Sequence, residues 1–256
     1  MNKILLTFDV EEFDAAIEYG NNISLEEQLE VSTKGLLALQ KMLDRLQVTS
    51  TIFTTGVYAM HNQSLIKELS LKHEIASHGM YHGSMDPKVD LAGSRKVLEE
   101  ITGQTITGFR MARMMPIEEE DILKAGYVYN SSLNPTYIPG RYNHLDKPMT
   151  PFFENGVLNI PASVSPTLRI PLFWLAFKNF PLPLFKMLSL NALQENGFLN
   201  IYFHPWEFTD LSAYKMPGYV KKFSKGLLLE RLETYLSWLK DKGEFITMNE
   251  YAKIFQ

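Results

Sequence analysis

The chain has 256 residues, with 25 Lys and Arg against 29 Asp and Glu, 45% hydrophobic residues and no cysteine. A formal charge of −4 argues against a nucleic-acid binder, which carries a basic surplus or stripe. The missing cysteines exclude a disulfide framework and thiolate metal ligation, and a chain of this length can bury a core without such staples.

The start, Met-Asn-Lys-Ile-Leu-Leu-Thr-Phe-Asp, has too short an apolar run for a secretory leader, which needs about 7–15 apolar residues and a small-residue cleavage site. It reads as a first strand over 3–9, and a cytoplasmic protein is expected. Ser24 and Glu27 form an S-x-x-E capping box ahead of Leu29, Leu36, Leu39, Leu43 and Leu46, which recur at helical spacing. Further strands are expected at 51–55, 74–77, 107–110, 127–130, 157–160, 198–204 and 244–248. Pro87 opens a helix that ends near Thr102-Gly103, and Pro116 opens one that ends at Gly126. The stretch 168–193 is rich in aromatics (Phe173, Trp174, Phe177, Phe180, Phe185). Arg169, Lys178, Asn179 and Lys186 interrupt it, and Pro171, Pro181 and Pro183 break it, so it does not read as a membrane span. It is expected to cover the core or to make peripheral membrane contact. A last amphipathic helix runs over 227–239 and stops near Gly243.

Strands alternating with helices imply parallel pairing through crossovers, in a single (β/α) barrel domain over 1–256 or a distorted relative; an open doubly wound sheet is the alternative. Either architecture gathers the residues at the carboxyl ends of its strands at one mouth. Those ends carry chemistry: Asp9 with Glu11, Glu12 and Asp14; Ser77-His78-Gly79-Met80-Tyr81-His82; Arg110; and His204-Pro205-Trp206-Glu207. His78 and His82 fall on one face if their segment turns helical, as two imidazole ligands of one metal require. The bland reading is two capping or surface histidines, but Ala76, Ser77, Gly79 and Gly83 suit a tight loop. In extended chain Asp9 and Glu11 project to the same side, and Val10 projects to the other.

Taken in order, Thr-Phe-Asp-Val-Glu at 7–11, Ser-His-Gly-Met-Tyr-His at 77–82, Gly-Phe-Arg at 108–110, Gly-Tyr-Val-Tyr-Asn-Ser-Ser at 126–132 and Phe-His-Pro-Trp-Glu at 203–207 resemble the polysaccharide deacetylase family, with its NodB-homology domain and carbohydrate esterase 4 activities. The resemblance implies a distorted (β/α)7 barrel, so that one of the eight expected strands lies outside it. It also implies a divalent metal, zinc first, and a carbohydrate substrate. By position Asp9 matches the base, Arg110 the residue that orients it, and His204 the general acid; His78 and His82 match metal ligands. The usual second aspartate of the first motif is Val10 here. The chain therefore resembles a subgroup with a D-x-E first motif, in which Glu11 is the third ligand. Ala112 stands where a proline is usual, and Asn130 where an aspartate often tunes the acid.

The expected activity is removal of acetyl from an N-acetylated sugar. Alternatives are an allantoinase-like amide or ureide hydrolase, a catalytically impaired carbohydrate-binding homologue, and a glycosidase using Asp9 or Glu11 with Glu207. Oligomeric state has no signature in the sequence.

Overall fold

The structure, a computed structural model, describes residues 1–83, 85–224 and 226–255. Its strands are β1 (Lys3–Val10), β2 (Thr51–Thr54), β3 (Glu74–Ser77), β4 (Gly108–Phe109), β5 (Tyr129–Asn130), β6 (Tyr137–Ile138), β7 (Tyr142–Asn143), β8 (Phe152–Glu154), β9 (Val157–Asn159), β10 (Phe198–Phe203) and β11 (Glu244–Phe245). Between them lie α1 (Ala15–Glu18), α2 (Leu25–Leu46), α3 (Gly56–His61), α4 (Gln63–Leu69), α5 (Pro87–Thr102), α6 (Glu119–Lys124), α7 (Trp174–Asn179), α8 (Leu182–Asn196), α9 (Gly218–Lys221), α10 (Leu227–Leu239) and α11 (Met248–Ala252).

Seven parallel strands curl in the order β10-β1-β2-β3-β4-β5-β9, and β8 adds an antiparallel edge. This is the distorted seven-stranded barrel, not an open doubly wound sheet. The seam between β9 and β10 is bridged by chain: Ser163 N–H donates to Asn200 O at 2.9 Å, and Asn200 N–H to Ser163 Oγ at 2.8 Å. The expected strand that falls outside the seven is 244–248. Only Glu244 and Phe245 pair, with Lys3 and Ile4, because Thr247 then caps α11 with its side chain. The hairpin of β6 and β7 and the edge β8 were not foreseen; two- and three-residue strands give too short an alternation to read.

The period of two along β1 sorts its residues between two compartments. Ile4, Leu6, Phe8 and Val10 join the large core between sheet and helices, whereas Leu5 packs inside the barrel with Phe53, Ala76, Tyr129 and Phe198. Met248, Tyr251 and Ala252 of α11 plug that interior from below. Continuing upward on the inner face, Thr7 and Asp9 follow Leu5, so the register that buries Leu5 also aims Asp9 at the open end. A slip by one residue would send Val10 there instead.

On the outside, α2 lays Leu29, Leu36, Leu39, Met42 and Leu43 against the sheet. Fully burying such side chains stabilises the fold by roughly 1.5–3 kcal/mol each. Its expected capping box is half formed. Ser24 Oγ accepts from Glu27 N–H at 3.1 Å, but the Glu27 carboxylate takes the Tyr214 hydroxyl at 3.0 Å instead of reaching back. The helix expected from Pro116 begins at Glu119, three residues later. The helices expected at 87–102 and 227–239 stand as read, the first ending at Gly103 with φ +71°. Gly35 in mid-α2 serves an approach: a Cβ there would lie 1.8 Å from the Pro205 carbonyl oxygen, so the helix touches the chain that carries His204.

The aromatic stretch becomes α7 and α8. Phe177 and Phe185 are fully buried and stack edge-on at 5.1 Å, while Leu168, Leu184 and Met187 stay exposed. Among the described residues no helix is long and apolar enough to cross a membrane.

Candidate metal centre and active site

Asp9 and Glu11 leave the end of β1, His78 and His82 follow β3, Arg110 follows β4, and His204 follows β10. All six are buried or nearly so. Asp9, Glu11, His78, His82 and His204 line one cavity of about 310 Å³ at the barrel mouth, walled by Tyr142, Phe173, Trp174, Tyr202 and Trp206. His78 and His82 are joined by the tight loop that their small neighbours suit, not by a helical turn. Gly79 takes φ +84°, a conformation glycine tolerates, and the bend brings the two rings to 5.7 Å in a stacked pair.

Both rings aim Nε2 at one carboxylate oxygen. Glu11 Oε2 lies 3.3 Å from His78 Nε2 and 2.9 Å from His82 Nε2, and among the described residues it has no aligned hydrogen-bond donor. The other nitrogen of each ring is engaged. His78 Nδ1 is 2.9 Å from the Arg110 carbonyl, and His82 Nδ1 is 2.7 Å from Asp14 Oδ1. An Nδ1–H held by an oxygen leaves the Nε2 lone pair facing inward, the arrangement that orients metal-ligating histidines. Three donor atoms lying within 4.8 Å of one another, one an orphaned buried carboxylate oxygen, fit a single divalent cation. Without a cation, burial disfavours charge on His82, but Glu11 and Asp14 outweigh it and raise its pKa to about 10. Burial likewise pushes Glu11 up, and the imidazoles of His82, His204 and His78 pull it well below the usual carboxylate range.

Asp9 is held from the barrel interior. Arg110, with no exposed surface, donates from Nη1 to Asp9 Oδ1 at 2.7 Å and to Thr7 Oγ1 at 2.8 Å; its Nε reaches the Ser131 carbonyl and its Nη2 the Ser131 hydroxyl. The guanidinium lies over the Phe53 ring at 4.1 Å. The second oxygen of Asp9 faces His204 Nε2 at 4.0 Å, across a gap.

His204 is clamped from behind. Glu207 Oε1 stands 2.9 Å from His204 Nδ1 and accepts the His204 backbone N–H at 2.7 Å. The imidazole stacks on Trp206 at 5.3 Å and meets the edge of Trp174 at 5.3 Å. Burial lowers its pKa, but Glu11, Glu207 and Asp9 more than compensate and raise it. Asn130, at the position where relatives often carry an aspartate, makes no contact with His204. It bonds Asn159 at 3.1 Å and accepts from Ser132 N–H, bracing its own turn.

Sequence reasoning placed Asp14, Trp206 and Glu207 at the mouth without their partners and read Lys178 only as an interruption of the aromatic stretch. Glu207 reads from sequence as a glycosidase acid, yet its i,i+3 spacing to His204 across Pro205 also signals a cap. Asp14 was one acid of a cluster, with nothing in its spacing to pair it with His82. Trp206 donates from Nε1 to Glu11 Oε1 at 3.2 Å. Lys178, inside the aromatic stretch, lies 2.8 Å from Glu207 Oε2.

Comparison with known proteins agrees with this geometry. Residues 2–114 match the family model described as Polysaccharide deacetylase. No curated protein sequence matches the chain. Among solved structures, a Mycobacterium smegmatis protein described as a polysaccharide deacetylase superposes with TM-score 0.66 at 20% identity, over 98% of this chain and 88% of its own. The Puue allantoinase superposes with TM-score 0.72 at 15% identity, covering 98% and 89%. A CE4 family pseudoenzyme from Bacillus anthracis gives TM-score 0.54 at 12% identity, covering 98% and 66%. Such identities establish the fold and leave the chemistry to the site itself. Residues 2–114 of the chain thus match the polysaccharide deacetylase family model, and 98% of the chain superposes on the curled barrel of the Mycobacterium smegmatis structure.

Proposed function

We propose that the chain is a metal-dependent N-deacetylase acting on an N-acetylated sugar. The observation that carries this reading is the convergence of two imidazoles, an orphaned carboxylate oxygen, an arginine-held aspartate and a carboxylate-held histidine on one cavity. Glu11, His78 and His82 would hold the ion, zinc or a related metal that accepts imidazole and carboxylate. Such an ion supplies Lewis-acid polarisation of a carbonyl and a water of lowered pKa.

The remaining steps belong to this chain's own groups. Asp9 Oδ2 faces the cavity and takes the proton of the attacking water, while Arg110 fixes the other oxygen and so the direction of the free one. An amine leaves poorly unless protonated. His204, with Nδ1 given to Glu207, presents Nε2–H to the departing nitrogen. The aromatic walls suit the apolar faces of a pyranose ring and keep the reacting atoms out of bulk water. A glycosidase built on Asp9 or Glu11 with Glu207 has no support, because Glu207 is fully buried behind His204.

One observation favours a second reading. The hairpin of β6 and β7, together with α7 and α9, supplies cavity walls, and an enclosed aromatic pocket also suits a compact cyclic amide or ureide. Purified protein, metal-stripped and then reloaded with zinc or cobalt, is assayed for acetate release from chitooligosaccharides and for hydrolysis of allantoin. Acetate release that vanishes with chelator, and one metal bound per chain that is lost in Glu11→Gln and His78→Ala, is the expected outcome. Allantoin turnover alone would select the second reading. Tight sugar binding without turnover would point to an impaired homologue.

A further inference from the structure

Lys178 is a lysine with 1% exposure, in α7, whose other buried members, Ala176 and Phe177, are apolar. Its ammonium donates to the Val220 carbonyl at 2.8 Å and lies 2.8 Å from Glu207 Oε2, an ion pair without the alignment of a good hydrogen bond. The faces of Trp174 and Trp206 lie 4.9 and 5.4 Å away. A buried ion pair is a weak source of stability, since well-packed apolar groups of similar volume commonly do as well or better. A packing role alone therefore gives little reason for a charge at this depth.

Its partner gives one. Glu207 has no exposed surface, and its other oxygen takes both the ring Nδ1 and the backbone N–H of His204. Lys178, Glu207 and His204 thus form a line running from beneath α7 to the cavity, ending 4.0 Å from Asp9. We propose that Lys178 is a positioning residue that acts through Glu207 to hold His204 in the Nδ1–H form with Nε2 turned to the leaving group. The proposal rests on the reading of His204 as proton donor. Burial alone would drive Glu207 to take up a proton; Lys178 and His204 outweigh that and keep its carboxyl below the ordinary range, so it stays an acceptor for Nδ1–H. The charged groups facing His204 are Glu207 behind it and Asp9 and Glu11 in front, and Lys178 is the cation that balances the rear carboxylate. On this reading α7 covers the core and also supplies the charge that sets the acid.

The test compares two leaving groups in zinc-loaded protein: the amide of chitooligosaccharides, whose nitrogen needs a proton, and the ester 4-nitrophenyl acetate, whose phenolate leaves without one. Lys178→Met and Glu207→Gln should each lower amide kcat by roughly 100-fold, the scale of a general acid's contribution. The ester loss should be at least tenfold smaller and amide KM little changed, and Lys178→Arg should recover much of the amide rate. Equal losses on both substrates, or no loss on the amide, would overturn the proposal. A second readout needs no turnover: in metal-free protein titrated to the pH at which the His204 ring loses its Nε2 proton, 15N chemical shifts should show the neutral ring as a single Nδ1–H tautomer, replaced by a mixture in Lys178→Met. An unchanged tautomer would also overturn it. Wild-type protein that cleaves the ester but no amide would count against the deacetylase reading and leave the ring measurement to decide the role of Lys178. If Lys178→Met does not fold, Lys178→Arg and Glu207→Gln carry the same two readouts.

Discussion

Arg110→Met is the perturbation that most directly probes how the barrel interior holds Asp9. The side chain makes four hydrogen bonds, two to Ser131 and one each to Thr7 and Asp9, and the Asp9 contact is an ion pair of 2.7 Å with exposures of 0% and 4%. Methionine fills much of the volume but leaves Asp9 buried without its cation. Removing one partner of a buried pair costs about 3–5 kcal/mol, because the remaining charge loses both water and counter-charge. The double variant Arg110→Met with Asp9→Asn leaves no unpaired charge, so its loss should fall short of the sum of the single losses by about 2 kcal/mol, within the range seen for groups in contact. Urea unfolding at pH 7, with chelator present so that no metal contributes, measures all four proteins. Losses that add to within about 0.5 kcal/mol would refute the idea that Arg110 stabilises an ionised Asp9 and would reduce it to a packing residue. Arg110→Lys should fall between, since an ammonium cannot reach Ser131 and Asp9 in one plane.

Two more outcomes follow from features away from the chemistry. His73 is buried with Nδ1 3.2 Å from Ser50 Oγ and Nε2 without a hydrogen-bond partner among the described residues, and burial, helped by Lys72 and opposed by Asp44, lowers its pKa to about 4. Between pH 6.5 and about 4 the unfolded chain takes up this proton and the native one does not, so stability is lost as pH falls, by about 3 kcal/mol at full effect. His73→Gln should therefore gain stability relative to wild type across that window in urea titrations; a constant difference would contradict the assignment. Gly35→Ala puts a methyl 1.8 Å from the Pro205 carbonyl, backbone against backbone. Overpacking of this kind costs about 1–3 kcal/mol, offset by up to about 1 kcal/mol of helix propensity. Thermal melting should show the net loss, and amide turnover should fall as His204 is displaced; unchanged turnover would mean that α2 does not set the 203–207 segment.

The convergence of the candidate site was legible in the sequence because its residues sit at strand ends, whereas the roles proposed for them rest on the family resemblance. A parallel sheet places the residues after its strands at one mouth, and alternation decides which of Asp9, Val10 and Glu11 face inward. Six side chains could thus be named from position before any coordinate. The curled parallel sheet and the main helices followed from the alternation of strands with helices and from caps at Ser24, Pro87 and Gly103, while the count of seven strands came from the family resemblance. Local signals compete in two segments. Spacing pairs His78 with His82 only if the segment turns helical, and the small residues around them favour instead the tight loop that Gly79 forms; 244–248 reads as one strand until Thr247 caps a helix.

What tertiary structure alone decided are the contacts between segments with no common period. Lys178 reaches Glu207 only because Phe177 and Phe185 bury α7 and α8 against β10 and α10, turning one lysine of an aromatic stretch inward. Asp14 meets His82, and Trp206 meets Glu11, through loops whose paths depend on what they pack against. Local sequence carries periodicity, caps and chain reversals, which are set by neighbours a few residues away. The partner of a buried charge is set by packing across the whole molecule, because only there does the cost of an uncompensated charge select one arrangement over the rest.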